Sequence, residues 1–265
     1  MNILVPTDFS ENARNSFEFA KKFALLNQGS ITLIYTYYSA YNFASQAAKI
    51  LVQLEAWVAP TNEKENSEHA QLKISHKIVH GTVATAITST AYREGYDLIV
   101  MGTQGASGIH KSLVGSNTSH VIKDSQIPVL AVPFNSHFDA VDSITVAMEV
   151  GLKEKKFFDL LIKLTKKWNL PFQALPLENK ENQWMGFRRE EIEKDLKINY
   201  PDTPFTFINL STEYTQLDLN QYLMNFPNTL LVMYLENTSF FEYLFNQSTA
   251  IKMAYHTHIP LLVIK

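Results

Sequence analysis

The sequence contains no cysteine, and that absence excludes several classes of site before any motif is considered. Disulfide frameworks, thiolate zinc sites, iron–sulfur clusters and cysteine nucleophiles all require thiols. An excess of charge of one sign is also missing, since 23 Lys and Arg residues face 26 Asp and Glu residues, for a net charge of -3. That balance excludes a strongly basic protein that binds DNA or RNA by neutralising phosphates.

Long hydrophobic runs are missing as well. No run approaches the roughly 18 apolar residues that a membrane-spanning helix needs, and the first residues lack the basic segment of a signal peptide. We therefore expect a soluble, cytoplasmic protein with no membrane contact. Hydrophobic residues still make up 46% of the 265 residues, which supplies a core and excludes global disorder. The length fits one large domain or two small ones.

The first half of the chain alternates between short apolar runs and segments of helical periodicity. Short strands that alternate with helices are typical of a parallel sheet covered on both faces. The predicted strands are residues 3–5, 31–37, 72–79, 97–101 and 129–132, and the predicted helices are residues 11–27, 44–57, 83–91 and 116–123.

The second half repeats this order after a polar linker at residues 134–142. Asp97-Leu98-Ile99-Val100-Met101 aligns with Thr229-Leu230-Leu231-Val232-Met233, and the closing strands of the two halves also align. The repeat predicts an α/β protein with two tandem, Rossmann-like domains, each a five-stranded parallel sheet, at residues 1–135 and 140–265. The predicted strands of the second half are residues 144–148, 172–177, 205–210, 230–235 and 261–264, and its predicted helices are residues 153–168, 188–199, 217–226 and 248–255.

Residues with binding chemistry follow the first and fourth predicted strands. In an open parallel sheet, ligands bind beyond the carboxyl ends of the strands, where the strand order reverses. Asp8 follows strand one and is placed to accept hydrogen bonds from ribose hydroxyls. Gly102 and Gly105 allow a backbone to approach a ligand closely, and Gly115-Ser116 opens a helix whose amides attract an anion.

Each of these features also has a purely structural explanation. A glycine cluster after a strand is often a tight turn, and Ser116 or Asp8 could simply cap a helix. The segment from Gly105 to Ser112 nearly fits a Walker A loop, but His110 stands at the second glycine position, so we reject that motif. The dinucleotide fingerprint G-x-G-x-x-G is absent too. Only the combined spacing therefore favours a phosphate site.

That spacing is G-x2-G-x9-G-[ST], and it begins at Gly102. Together with Val5-Pro6-Thr7-Asp8-Phe9-Ser10 and Asp97-Leu98-Ile99-Val100-Met101-Gly102, it resembles the universal stress protein family. The resemblance covers the first half fully and the second half more weakly. It implies an adenine nucleotide alpha hydrolase-like fold, pairing of two domains as a dimer or tandem pseudo-dimer, and membership of the ATP-binding class.

The resemblance also assigns individual residues to a nucleotide. It implies ATP as the ligand, with AMP and ADP as alternatives and Mg²⁺ as an optional companion of the phosphates. Ribose and adenine would lie against the loop after strand one and the end of strand two, and the phosphates against the glycine loop. The assigned positions are Pro6, Thr7, Asp8, Thr36, Met101, Gly102, Thr103, Gly105, Gly115, Ser116, Asn117 and Thr118.

The second half departs from the motif at every corresponding point. The replacements are Glu149 for Asp8, Tyr234 for Gly102, Asn237 for Gly105, Asn246 for Gly115 and Gln247 for Ser116. Side chains at the glycine positions would block the approach of a nucleotide, so we expect no ATP in the second domain. It would instead pair with the first through residues 129–132 and 261–264, as family dimers do, and a homodimer of the whole chain is a further option.

Three functions stay open from the sequence. The first is a stress-response regulator in which ATP occupancy favours one conformation or interaction, with an unknown protein partner. The second is a slow ATPase at most, because no general base or pair of metal-binding carboxylates is evident, and we assign no catalytic residue. The third is a scaffold without nucleotide. His256 and His258 lack a third ligand, so we predict no metal site.

Overall fold

The computed structural model of the chain describes residues 1–59, 72–103, 116–149, 155–177, 185–203, 205–208, 222–234 and 259–265. By its internal contacts the chain divides into two units, Met1–Phe138 and Asp139–Lys265. We call them the N-terminal unit and the C-terminal unit.

The N-terminal unit alternates strands and helices as the apolar pattern predicts. Its strands pair in the order β3-β2-β1-β4-β5, and every pair is parallel. Strands β1, β4 and β5 are almost entirely buried, as expected of strands covered on both faces. The elements are β1 (Asn2–Pro6), α1 (Glu11–Asn27), β2 (Ser30–Tyr37), α2 (Ala40–Val58), β3 (Lys73–His80), α3 (Val83–Arg93), β4 (Leu98–Gly102), α4 (Ser116–Asp124) and β5 (Val129–Val132).

The C-terminal unit has the same strand order. Its parallel strands run β8-β7-β6-β9-β10, so β6 has the central place that β1 has in the N-terminal unit. The described elements are β6 (Ser143–Glu149), α5 (Lys155–Thr165), β7 (Phe172–Leu177), α6 (Met185–Asn199), β8 (Phe205–Phe207), β9 (Thr229–Tyr234) and β10 (Leu261–Ile264).

Helix ends follow local chemistry. Ser10 caps α1, because its hydroxyl oxygen accepts a hydrogen bond from the Ala13 amide at 3.1 Å. Gln28 closes the same helix in the left-handed conformation, with φ 53°. After α5, residues Lys166–Trp168 tighten into a 3-10 turn that Asn169 ends with φ 53°. The sequence pattern had predicted a single helix over residues 153–168.

These elements confirm the predicted α/β fold with parallel sheets. Helix α2 begins at Ala40, four residues before its predicted start. Residues 222–225 are helical, within the helix predicted at 217–226, whereas residues 217–221 lie outside the described parts. The helix predicted at 248–255 lies outside them as well. Within the described parts, no helix is long and apolar enough to cross a membrane.

Candidate functional site

The carboxyl ends of β1 and β4 meet at the point where the strand order of the N-terminal unit reverses. Strand β1 pairs with β2 on one side and with β4 on the other, with Ile3 opposite Leu98 and Leu4 opposite Ile99. Continuing that register brings Thr7 level with Gly102. In doubly wound folds, ligands bind at this point, beyond the carboxyl ends of the strands.

The end of β4 accommodates no side chain at Gly102. A Cβ atom on this residue would lie 2.3 Å from Asn12 Oδ1 and 3.2 Å from the Asn12 backbone oxygen. Asn12 comes from the first turn of α1, is 5% exposed, and donates from Nδ2 to the Val132 carbonyl at 3.3 Å. Gly102 therefore lets α1 pack directly on the end of β4.

Helix α4 is tied to the same point. The Thr118 hydroxyl, which is 3% exposed, donates to the Gly102 carbonyl at 2.8 Å. The Thr103 amide donates to the Val132 carbonyl at 3.2 Å. Ser116 and Asn117 are exposed at the start of the helix, where amides lack intrahelical acceptors. The first turn of α4 can thus meet an anion from solvent, while Thr118 bonds inward.

The loop after β1 is ordered by short-range hydrogen bonds. The Thr7 amide donates to the Ile34 carbonyl at 3.0 Å, and the Thr7 hydroxyl oxygen accepts from the Phe9 amide at 3.0 Å. Asp8 Oδ1 accepts from the Ser10 amide at 3.0 Å, and Asp8 is exposed. Its carboxylate thus faces solvent beside the start of α1, in a direction set by the loop.

Strand β2 supplies a wall on one side of this loop. Its last residue paired with β1 is Ile34, opposite Pro6, but the strand continues to Tyr37 alongside β3. Thr36 lies in that extension, opposite Val79, and is half-buried. Thr36 therefore stands beyond the end of β1, as a contact to a ligand beyond the strand ends requires.

Of the twelve residues assigned from the sequence, the described structure gathers ten at this edge of the sheet. They are Pro6, Thr7, Asp8, Thr36, Met101, Gly102, Thr103, Ser116, Asn117 and Thr118. Gly105 and Gly115 lie outside the described residues. Met101 is buried within β4, so its side chain belongs to the core.

Sequence reasoning missed Asn12 and the aromatic residues around Phe9. Asn12 did leave a signal, because it shares the helical spacing of Ser16, Phe19 and Phe23, all of which are buried. A polar residue on a buried helical stripe needs a partner inside the protein. That partner is the Val132 carbonyl, which the sequence could not identify.

Aromatic rings pack together at the end of β9, the strand of the C-terminal unit that corresponds to β4. Tyr234, at the place of Gly102, ends β9 with its ring centroid 5.3 Å from that of Phe157 on α5. Phe157 is 1% exposed and also packs edge-to-face with Phe158 at 4.9 Å. Where β4 ends in a glycine against Asn12, β9 therefore ends in a ring that packs on α5. Residues 237, 246 and 247 lie outside the described parts.

Metal-binding chemistry is sparse in the described parts of both units. No group of three or more His, Asp or Glu side chains among these residues could hold a metal ion. His256 and His258 lie outside them.

Comparison with known proteins gives a family for this chain. The model of the universal stress protein family matches residues 1–133. Universal stress protein MJ0577 of Methanocaldococcus jannaschii is 30% identical over 151 residues, which cover 49% of this chain and 93% of that protein. Universal stress protein MJ0531 of the same organism is 31% identical over 141 residues, which cover 49% of this chain and 80% of that protein.

A solved structure extends the likeness to both units. The crystal structure of a universal stress protein from Archaeoglobus fulgidus matches 100% of this chain and 98% of its own, with a TM-score of 0.73. At 16% identity, this is a likeness in fold.

Proposed function

The chain belongs to the universal stress protein family, and from that premise we propose that its N-terminal unit binds an adenine nucleotide at the carboxyl ends of β1 and β4. ATP is the proposed ligand, with ADP and AMP as alternatives. The bound nucleotide would act as a regulatory switch in a stress response, by favouring one conformation or one interaction of the protein.

The observation that carries this proposal is the position of Asp8, Gly102 and the first turn of α4 at one edge of the sheet, where the strand order reverses. Gly102 is half-buried, and Asn12 fills the side on which its Cβ would stand. The exposed Asp8 carboxylate would accept hydrogen bonds from ribose hydroxyls. The amides of the first turn of α4 would donate to phosphate oxygens, in the way that helix N-termini bind anions.

The residues present fit such a ligand in charge as well as in shape. Asp8 lies on the β1 side of the sheet edge, and the opening turn of α4, with Ser116 and Asn117 exposed, follows the β4 side. A nucleotide needs hydrogen-bond acceptors for its sugar and donors for its phosphates at separate places. Asp8 would supply the acceptor, and α4 the donors. Mg²⁺ could accompany the phosphates.

A titration of the purified protein with ATP tests the proposal. We expect wild-type protein to bind one ATP per chain, and Asp8→Ala to weaken binding about 10- to 100-fold, the range for losing hydrogen bonds to a charged group. Glu149→Ala is the matched control, because Glu149 has the place of Asp8 in the C-terminal unit. We expect this control to bind like the wild type, and equal losses in the two variants would contradict the site assignment.

A scaffold without nucleotide is the second candidate, and one observation favours it. The packing of Asn12 against Gly102 gives the glycine a structural reason that involves no ligand. Mass spectrometry of small molecules released from freshly purified protein separates the two functions. Adenine nucleotide in stoichiometric amount would exclude the scaffold, while a chain with no released nucleotide and no binding in the titration would support it.

A further inference from the structure

The aromatic residue next to Asp8 is held in a conformation that bulky side chains rarely adopt. Phe9 has φ 62°, in the left-handed region, where a side chain crowds its own backbone. We infer that Phe9 is a positioning residue that fixes the direction of the Asp8 carboxylate for ribose recognition, and that Tyr35 and Trp57 hold it in place. This inference rests on the proposed function.

Aromatic contacts from two other elements maintain the conformation of Phe9. Its ring stacks on Tyr35 of β2, with centroids 5.3 Å apart and planes at 22°. Trp57, from the last turns of α2, meets the ring edge-to-face at 5.6 Å and 84°. The Phe9 ring therefore lies in a clamp made by β2 and α2, and the packing energy offsets the backbone strain.

Trp57 is itself held by α1. It stacks on Phe17 at 6.2 Å and 18°, and the Arg14 guanidinium carbon lies 5.1 Å from the centre of its ring. Arg14 is oriented by Glu18, whose carboxylate is 3.2 Å from Arg14 Nε. The clamp thus connects three elements that are distant in sequence, and Phe9 is the part of it that adjoins the candidate site.

The conformation of Phe9 determines the hydrogen bonds on both of its sides. The Phe9 amide donates to the Thr7 hydroxyl oxygen at 3.0 Å, and the next amide, that of Ser10, donates to Asp8 Oδ1 at 3.0 Å. A change of φ at Phe9 rotates one of these amides relative to the other. If the ring left the clamp and φ became negative, the Ser10 amide would turn away from Asp8, and the hydrogen bond that orients Asp8 Oδ1 would be lost.

The readout that distinguishes this role from simple stability is selectivity for the ribose hydroxyls. ATP carries both hydroxyls, and 2′,3′-dideoxy-ATP carries neither. We expect Phe9→Ala to weaken ATP binding about tenfold, the cost of a poorly aligned charge-assisted hydrogen bond, and to leave dideoxy-ATP binding unchanged. We also expect the double variant Phe9→Ala, Asp8→Ala to bind ATP no more weakly than Asp8→Ala alone, because both changes remove one interaction.

Phe19→Ala is the matched control. Phe19 is a buried ring on α1 that packs edge-to-face with Phe138 at 5.3 Å. Its removal should lower the melting temperature and leave the ratio of ATP to dideoxy-ATP affinity as in the wild type. If Phe9→Ala does not fold, Trp57→Leu tests the clamp through its other ring. We expect Trp57→Leu to lower the ratio of ATP affinity to dideoxy-ATP affinity, as Phe9→Ala would.

The outcomes separate the inference from the proposed function. Equal weakening of ATP and dideoxy-ATP by Phe9→Ala, or additive losses in the double variant, would overturn the positioning role while leaving the nucleotide site intact. A wild-type protein that binds neither nucleotide would overturn the proposed function, and the inference with it.

Discussion

The two units have the same strand order, but they differ at the carboxyl end of one strand. This strand is β4 in the N-terminal unit and β9 in the C-terminal unit, each next to the central strand. In the N-terminal unit this strand ends at Gly102, where Asn12 occupies the space next to the backbone. In the C-terminal unit it ends at Tyr234, whose ring packs against Phe157. Each strand end thus packs on the first described helix of its own unit, through Asn12 in the N-terminal unit and through the Tyr234 ring in the C-terminal unit.

The interiors of the central strands β1 and β6 show the opposite contrast. In the N-terminal unit Leu4 is fully buried, whereas the corresponding residue of the C-terminal unit, Thr145, is a fully buried hydroxyl. Thr145 is hydrogen-bonded to Thr229 at 2.8 Å and to Tyr222 at 3.1 Å, and Tyr222 also donates to Gln173. The C-terminal unit thus buries a hydroxyl network where the N-terminal unit buries a leucine.

Together the two contrasts show how duplicated folds diverge. Parallel pairing of the five strands is maintained by backbone hydrogen bonds and apolar burial, which tolerate many side chains. The proposed nucleotide site depends on a few positions at the edge, where substitutions leave the fold intact. Its restriction to the N-terminal unit is a prediction of this comparison.

Exchanging the residues at the end of the fourth strand should have the largest effect. We expect Gly102→Tyr to weaken ATP binding about 100-fold or more, since its side chain would collide with Asn12 and displace the start of α1 beside Asp8, and to cost about 2–3 kcal/mol of stability through this overpacking. Calorimetric titration and urea denaturation measure the two effects. The reverse exchange, Tyr234→Gly, should cost about 3 kcal/mol and leave a single ATP site of wild-type affinity. A Gly102→Tyr protein that still binds ATP with wild-type affinity would contradict the claim that this position decides which unit binds nucleotide.

A double-mutant cycle tests why Gly102 is a glycine. Gly102→Ala should cost about 1–3 kcal/mol in the wild type, because its Cβ would overlap Asn12. In an Asn12→Ala background the same change should cost less, since the overlap with the side chain is gone and only the 3.2 Å approach to the backbone oxygen of residue 12 stays. Additive costs in urea denaturation would contradict the packing explanation. If the double variant regains stability but not ATP affinity, the glycine also serves the ligand.

The buried polar network provides the third test. Thr145→Val should destabilise the protein by about 1–3 kcal/mol, because Tyr222 and Thr229 lose a buried partner. Leu4→Thr, which places a hydroxyl at the apolar equivalent, should cost a similar amount. Thr32→Val is the control, since Thr32 bonds Ser75 at 3.1 Å at an exposed place, and we expect a change below about 0.5 kcal/mol. A neutral Thr145→Val would mean that the network contributes nothing.

The smallest expected effect is a loss of stability at alkaline pH, caused by two tyrosines of the C-terminal unit. Burial raises the pKa of Tyr222 above its ordinary value of 10, and the hydrogen bond with Thr145 lowers it by less. Burial also raises the pKa of Tyr200, and Asp159, which accepts from the Tyr200 hydroxyl at 2.7 Å, raises it further.

For both tyrosines the neutral form is favoured by folding, so their contribution is fully present below pH 10 and is lost as the pH rises through the higher pKa of the folded state. We expect the free energy of unfolding to fall above about pH 10. Tyr222→Phe and Tyr200→Phe should each make that fall shallower. Denaturation curves between neutral and alkaline pH measure it, and an unchanged slope in both variants would contradict the assignment.

Much of the fold was predictable because its elements are coded locally. Apolar runs such as Leu98-Ile99-Val100 are typical of strands buried on both faces, and Ser10 marks the start of α1 by its capping chemistry. Helix α2 was less predictable, and it begins four residues early at Ala40. Ser39 precedes its first residue, but the Ser39 side chain makes no capping hydrogen bond.

The candidate site was predictable in part for the same reason. Asp8 and Gly102 directly follow apolar runs, so their places at the sheet edge come from the chain order alone. The hydrogen bond from Thr118 to the Gly102 carbonyl was not predictable, because the sequence pattern assigned the Thr118 hydroxyl to a phosphate contact. Which partner a hydroxyl chooses depends on distances that no sequence pattern contains.

The amino-acid sequence by itself determined the alternation of strands and helices, the duplication, and the family to which the chain belongs. These follow from periodicity and motifs within short segments. Only the tertiary structure decided that Asn12 lies against Gly102, that Phe157 covers the end of β9, and that Tyr35 and Trp57 clamp Phe9. Each of these contacts joins residues far apart in the chain, and folding alone brings them together.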